Sequence, residues 1–282
     1  MKDRAIAFDF DGTLVHSGYD KCVHIMYAAY VACAATGFRR FLHPRDPGLD
    51  VERLLRGLLH YPGAPRFQQL AALVNSVIHD RPVAVEVPAG LLVEPELAAE
   101  YESVRRAYDT VYTALNDAAA AKYWKAYPTA LETIPRLAAD FDLYIASGVP
   151  QDLVEADLVR HGYDPRQFQA VWGANRRGGT DKAELLRRIQ ARGYRDVLFV
   201  GDATRDLEYA QAAGVKFFRY EVPEDFPRLA ALVQGGFPDR AEPWSWTDAE
   251  KEFFRSKTRR LVEAHLAGHP LSPVEATDVI HA

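Results

Sequence analysis

Cysteine is scarce in this chain. Only Cys22 and Cys33 occur in 282 residues, too few for a disulfide framework, and no C-x-x-C pair offers a zinc site. They are expected as reduced thiols buried in a helical region. A basic excess is also missing: the formal net charge is -5, so no nucleic-acid partner is expected. No apolar run approaches the roughly 18 residues of a membrane span, so no membrane partner is expected either. The short apolar segment Ala5–Phe8 runs straight into an acidic residue and is not a signal-peptide core. The expected location is the cytoplasm. Internal repeats are absent, and low complexity is limited to Ala118–Ala121.

What remains is an ordinary globular balance, 48% hydrophobic and 26% charged, with length for one large domain or two smaller ones. The most informative stretch is Asp9-Phe10-Asp11-Gly12-Thr13-Leu14. Two carboxylates flank one aromatic residue, directly after an apolar segment that suits a buried strand. Carboxylates this close repel unless a cation or a proton lies between them. The pattern points to a divalent metal, an acid/base pair, or both.

Five β-like runs are visible: Ala5–Phe10, Asp142–Ala146, Ala170–Gly173, Val197–Gly201 and Val215–Tyr220. Helical periodicity lies between them, over Leu131–Ala139, Lys182–Arg192 and Asp206–Ala213. Alternation of this kind predicts an α/β core, a Rossmann-like parallel sheet with helices on both faces. The core takes residues 1–15 and 127–220. Residues 16–126 interrupt it and form an inserted, mainly α-helical domain, with helices over Lys21–Ala35, Leu49–Leu59, Pro65–Ile78 and Glu96–Trp124. Arg81–Val93, rich in Pro and Val, is expected as a loop. Because the insertion begins just after the carboxylate pair, it is expected to act as a lid. Residues 221–282 are expected as a helical extension packing on the core. There, Thr247 and Glu250 form a predicted capping box, with Phe253, Phe254, Leu261, Val262 and Leu266 lining the helix that follows.

Each further strand ends on polar residues. The second reaches Ser147-Gly148, and the third is followed by Gly178-Gly179-Thr180-Asp181-Lys182. The fourth gives Gly201-Asp202-Ala203-Thr204-Arg205-Asp206. Singly, each is weak: Ser147 suits a turn, Lys182 a solvated surface, and Asp202 and Asp206 a helix start. In a parallel sheet they share one edge. That edge offers backbone N–H groups, a hydroxyl and a lysine for an anion, and carboxylates for a hard cation. Phosphoryl chemistry needs both.

With these residues in place, the chain resembles the haloacid dehalogenase superfamily, in its phosphoglycolate-phosphatase-like branch with a helical cap. The first motif is Asp9-Phe10-Asp11-Gly12-Thr13, the second Ser147, the third Lys182, and the fourth Gly201 to Asp206 running on into Gly214. The resemblance covers about residues 4–220. It implies a Mg²⁺-dependent phosphatase acting on a small phosphorylated metabolite. Asp9 would be the nucleophile, forming an aspartyl phosphate, and Asp11 the general acid and base. Mg²⁺ would bind the Asp9 and Asp202 carboxylates and the Asp11 backbone carbonyl. Asp11, Gly12, Ser147, Gly148 and Lys182 would surround the phosphoryl group, with Thr13 positioning Asp11 and Asp206 supporting the metal or Lys182. A phosphomutase, a phosphonate hydrolase and a non-catalytic scaffold remain alternatives. Asp11 speaks against the dehalogenase and phosphonatase branches. In residues 21–126, twelve Lys and Arg nearly balance eleven Asp and Glu, which gives no preference for a highly anionic substrate. The tail offers a surface for a homodimer.

Overall fold

The structure is a computed structural model and describes residues 2–38, 42, 46–60, 66–79, 98–174, 182–239 and 245–282. The expected loop Arg81–Val93 and the segment Gly178–Asp181 lie outside the described residues. Two compact units are present. One comprises Met1–Ser17 with Lys125–Ser245, the other Gly18–Trp124 with Trp246–Ala282.

The first unit is a doubly wound α/β domain. Its strands are β1 (Arg4–Phe8), β2 (Asp142–Pro150), β3 (Phe168–Ala174), β4 (Asp196–Gly201) and β5 (Lys216–Arg219). They form one parallel sheet in the order β3-β2-β1-β4-β5. Alternate residues face opposite ways along a strand. Ala5 and Ala7 therefore join Tyr144, Val197, Phe199 and Phe217 in a core beneath α7 (Lys182–Gln190) and α8 (Thr204–Ala213). On the other face Phe8 stacks on Phe226 of α9 (Asp225–Gly235) at 6.3 Å. Helices α5 (Pro128–Asp140) and α6 (Gln151–Arg160) complete this unit. The strand order turns around at β1, whose neighbours are β2 and β4. Such switch points open a crevice at the carboxyl ends of the strands.

The second unit is helical among the described residues. It contains α1 (Gly18–Ala35), α2 (Pro47–His60), α3 (Arg66–His79), α4 (Ala98–Lys122), α10 (Asp248–Leu266) and α11 (Pro273–His281). Here the structure corrects one expectation. The extension 221–282 does not stay together on the sheet domain: α9 packs on α5 in the sheet unit, whereas α10 packs on α1 and α2, and α11 on α4. The reason is apolar matching. Phe254, Leu261, Val262, Ala276 and Ile280 share one core with Val23, Met26, Leu54 and Leu115. The α10 stripe was visible in the sequence, but a stripe does not name its partner. Thr247 and Glu250 form the expected reciprocal cap, and Ser272 with Glu275 forms a second one at α11. Among the described residues no helix is long and apolar enough to cross a membrane.

One buried titratable group in this unit has a direct consequence. His24 on α1 is fully buried; its Nδ1 lies 2.8 Å from Asn116 Oδ1. Its Nε2 has no hydrogen-bond partner among the described residues. Burial, only partly offset by Asn116, pushes the imidazole down from 6.5 to about 4. The native state thus requires neutral His24. Its contribution is complete above the unfolded value of 6.5 and is lost as pH falls towards 4. Urea unfolding should show a His24 contribution falling by about 2 kcal/mol between neutral pH and the mid-fours. His24→Gln should flatten that part of the pH dependence, and an unchanged slope would contradict it.

Candidate active site

The carboxyl edge of the sheet gathers the acidic residues. Asp9 follows β1 directly, and its N–H continues the ladder to the Val200 carbonyl at 2.8 Å. Asp202 follows β4, and Asp206 lies in the first turn of α8. Single carboxylate oxygens of Asp9, Asp202 and Asp206 lie within 4.8 Å of one another. Lys182, the first residue of α7, is buried between two of them. Its Nζ lies 2.7 Å from Asp9 Oδ2 and 2.7 Å from Asp206 Oδ1.

Two glycines make this packing sterically feasible. Gly12 has φ +74°, and a Cβ there would lie 2.1 Å from Asp202 Oδ2. Any side chain at that turn would be strained and would displace Asp202. At Gly201 a Cβ would lie 2.6 Å from Asp206 Oδ2. That oxygen also accepts from the Ala203 N–H at 3.1 Å, which caps α8.

The electrostatics follow from crowding. Burial, opposed by Lys182 and reinforced by Asp206 and Asp11, pushes Asp9 up to about 7. Burial, then Asp9 and Asp206, pushes Asp202 well above the usual carboxylate range. Burial disfavours the Lys182 ammonium, but Asp206 and Asp9 together hold it above the ordinary lysine value. One ammonium thus serves three acids. A cluster of hard oxygen donors with this excess of negative charge fits a divalent cation. Both Asp206 oxygens already serve Lys182 and the α8 cap, and the Asp9 oxygens meet Lys182 and the Phe10 N–H.

The structure gives Asp11 a different setting. Its Oδ1 accepts from Ser17 Oγ at 2.9 Å, and Ser17 is almost wholly buried. A short backbone pairing, Gly12 N–H to Val15 carbonyl at 2.9 Å, curls the chain so that Ser17 can reach back. Thr13, expected to position Asp11, donates its Oγ1 to Asp202 Oδ1 at 3.2 Å. The side-chain cluster comprises Asp9, Asp202 and Asp206; the expectation for Asp11 concerns its backbone carbonyl. Ser147 stands on β2 beside β1, with its Oγ accepting from the Val149 N–H at 3.1 Å; Gly148 follows it on the same strand. Ser17 was missed because only the turn over residues 12–15 brings it back to Asp11, and a serine six positions on carries no signal of its own.

Removing Lys182 while keeping the three acids should be costly, because broken buried ion pairs leave uncompensated charge. Lys182→Met should lose about 3–5 kcal/mol in urea unfolding. Added Mg²⁺ should restore stability to this variant more than to wild type. Equal stability without metal would contradict the charge balance described here.

The haloacid dehalogenase-like hydrolase family matches residues 4–214, most of the chain. Comparison with curated proteins finds no match. Among solved structures, one described as a predicted phosphatase from Clostridium acetobutylicum aligns with TM-score 0.53 at 15% identity. The alignment covers 83% of this chain and 100% of that one. A predicted phosphoglycolate phosphatase from Haemophilus somnus aligns with TM-score 0.47 at 20% identity, covering 78% of this chain and 88% of that one. At these identities the first likeness speaks for the fold alone. The sheet order, the inserted helical unit and the family match agree, and the chain belongs to the haloacid dehalogenase-like hydrolases.

Proposed function

We propose that this hydrolase is a Mg²⁺-dependent phosphatase of small phosphorylated metabolites, working through an aspartyl phosphate on Asp9. The observation that carries the reading is the contrast between two carboxylates two residues apart. Asp9 is buried against Lys182 within the acidic cluster. Asp11 is held separately by the Ser17 hydroxyl, outside that cluster. Different surroundings suit different roles.

In this reading an Asp9 oxygen attacks phosphorus as the bond to the leaving oxygen breaks. Asp11 gives its proton to that oxygen, so the alcohol departs neutral. Water then attacks the phosphorus of the aspartyl phosphate, Asp11 takes its proton, and Asp9 is freed as phosphate leaves. Ser147, Gly148, Gly12 and Lys182 are read as holding the phosphoryl oxygens. Asp9 and Asp202, with the Asp11 carbonyl, are read as holding Mg²⁺; Asp206 supports them through Lys182. Bound Mg²⁺ supplies charge neutralisation between the Asp9 carboxylate and the phosphate dianion. We read the helical unit inserted after the first motif as the cap that selects the substrate. Cys22 and Cys33 are buried and in no disulfide, which suits a reducing compartment and supports a cytoplasmic enzyme.

Purified protein should hydrolyse p-nitrophenyl phosphate with Mg²⁺ and stop on chelation. Asp9→Asn should abolish turnover. Asp11→Asn should lower kcat by about 10²–10⁴-fold for a substrate with a poor leaving group. Ser17→Ala should lower kcat by about tenfold with KM little changed, the cost of one hydrogen bond to a charged group. Undiminished activity in Asp9→Asn, or in the presence of chelator, would refute the proposal.

A further inference from the structure

A second set of charged groups, around the last helix, takes no part in the reaction. Asp20 lies in the first turn of α1 with its side chain 8% exposed. Trp124 Nε1 donates to Asp20 Oδ2 at 2.8 Å. These two residues flank the points where the chain enters and leaves the first segment of the helical unit, Gly18 and Trp124. His281, closing α11, brings Nε2 to 2.9 Å from the same Asp20 oxygen. Its ring lies flat on Tyr123, with centroids 3.7 Å apart and planes 11° apart. The Tyr123 hydroxyl and the Lys122 ammonium each donate to Asp278 Oδ1 at 2.7 Å. The last helix is thereby tied by side chains to both ends of the unit's first segment.

The His281–Asp20 approach is an ion pair only when the imidazole carries its second proton. Such a contact draws its strength from charge, and the charge requires an imidazolium. Asp20 is buried, so attraction there is stronger than between solvated groups. The titratable groups around His281 are Asp20 and His24 on α1, Tyr123 just after α4, and Asp278 on its own helix. His24, pushed down to about 4, stays neutral around neutral pH. The Lys21 ammonium sits over the Trp124 ring at 5.0 Å, Lys122 is engaged by Asp278, and Lys257 Nζ donates to the Val279 carbonyl at 3.2 Å.

We propose that His281 is a proton-operated clasp: as an imidazolium it locks α11 onto the first turn of α1, and loss of its proton loosens α11. The sign follows from the pairing. The lock is complete while His281 carries its proton and fades as rising pH removes it. This regulation of the helical unit is independent of the proposed reaction.

Amide hydrogen exchange on the full chain, corrected for intrinsic rates, tests it at about pH 5.5 and about pH 8.5. Protection across α11 should fall by about fivefold at the higher pH, the scale of a single ion pair, while α7 and α8 keep theirs. His281→Lys, which holds its charge, should stay protected at both values. His281→Gln should be poorly protected at both, and Asp20→Asn should remove the pH dependence. Protection of α11 that ignores pH in the wild type, or a His281→Gln variant that behaves as wild type, would overturn the clasp. The two His281 substitutions decide the matter even if Asp20→Asn fails to fold.

Discussion

Three carboxylates drawn within 4.8 Å of one another in a buried crevice, with one ammonium among them, form the constraint on which the sheet unit depends. Bare, the arrangement is unfavourable: burial and mutual repulsion push Asp9 and Asp202 towards holding protons. A fold retains such a cluster only if the surrounding backbone leaves it no alternative geometry. The parallel sheet supplies that rigidity. Asp9 and Asp202 end adjacent strands at the point where strand order reverses, and Asp206 is held by the cap of α8. Gly12 and Gly201 keep the space that any larger residue would take from Asp202 and Asp206.

The same turn that allows close packing also separates the two acids of the first motif. After Phe10 the chain curls through Gly12, pairs briefly with Val15, and delivers Ser17 to Asp11. Asp9 meets an ammonium and two further carboxylates, and Asp11 meets a hydroxyl. One hexapeptide thus places its two acids in different surroundings, one crowded among charges and one beside a hydroxyl. Lys182 ties the crowded acids together, since the ion pair that steadies Asp9 also holds Asp206.

Much of this was legible in the residues. The parallel core was, because short apolar runs alternating with amphipathic helices admit few other solutions. Asp9, Lys182, Asp202 and Asp206 could be foreseen at one edge because each directly follows a strand or opens a helix. The relations that a turn or a distant packing partner decides were not legible. Thr13 serves Asp202 and Ser17 serves Asp11, a matter of side-chain direction that spacing alone does not set. The apolar stripe of α10 was plain, yet it matched α1 and α2 rather than the sheet. Helix α9 passed unseen within a stretch interrupted by Pro227 and bounded by Gly235 and Gly236.

The central claim is that the crowded carboxylate, Asp9, is the one that takes the phosphoryl group. Quenching the enzyme during turnover with borohydride tests this most directly, since an aspartyl phosphate is reduced to homoserine and unmodified aspartate is not. Peptide mass spectrometry should find homoserine at position 9 and aspartate at position 11. Homoserine at another acid, or steady phosphate release with position 9 never modified, would contradict the account.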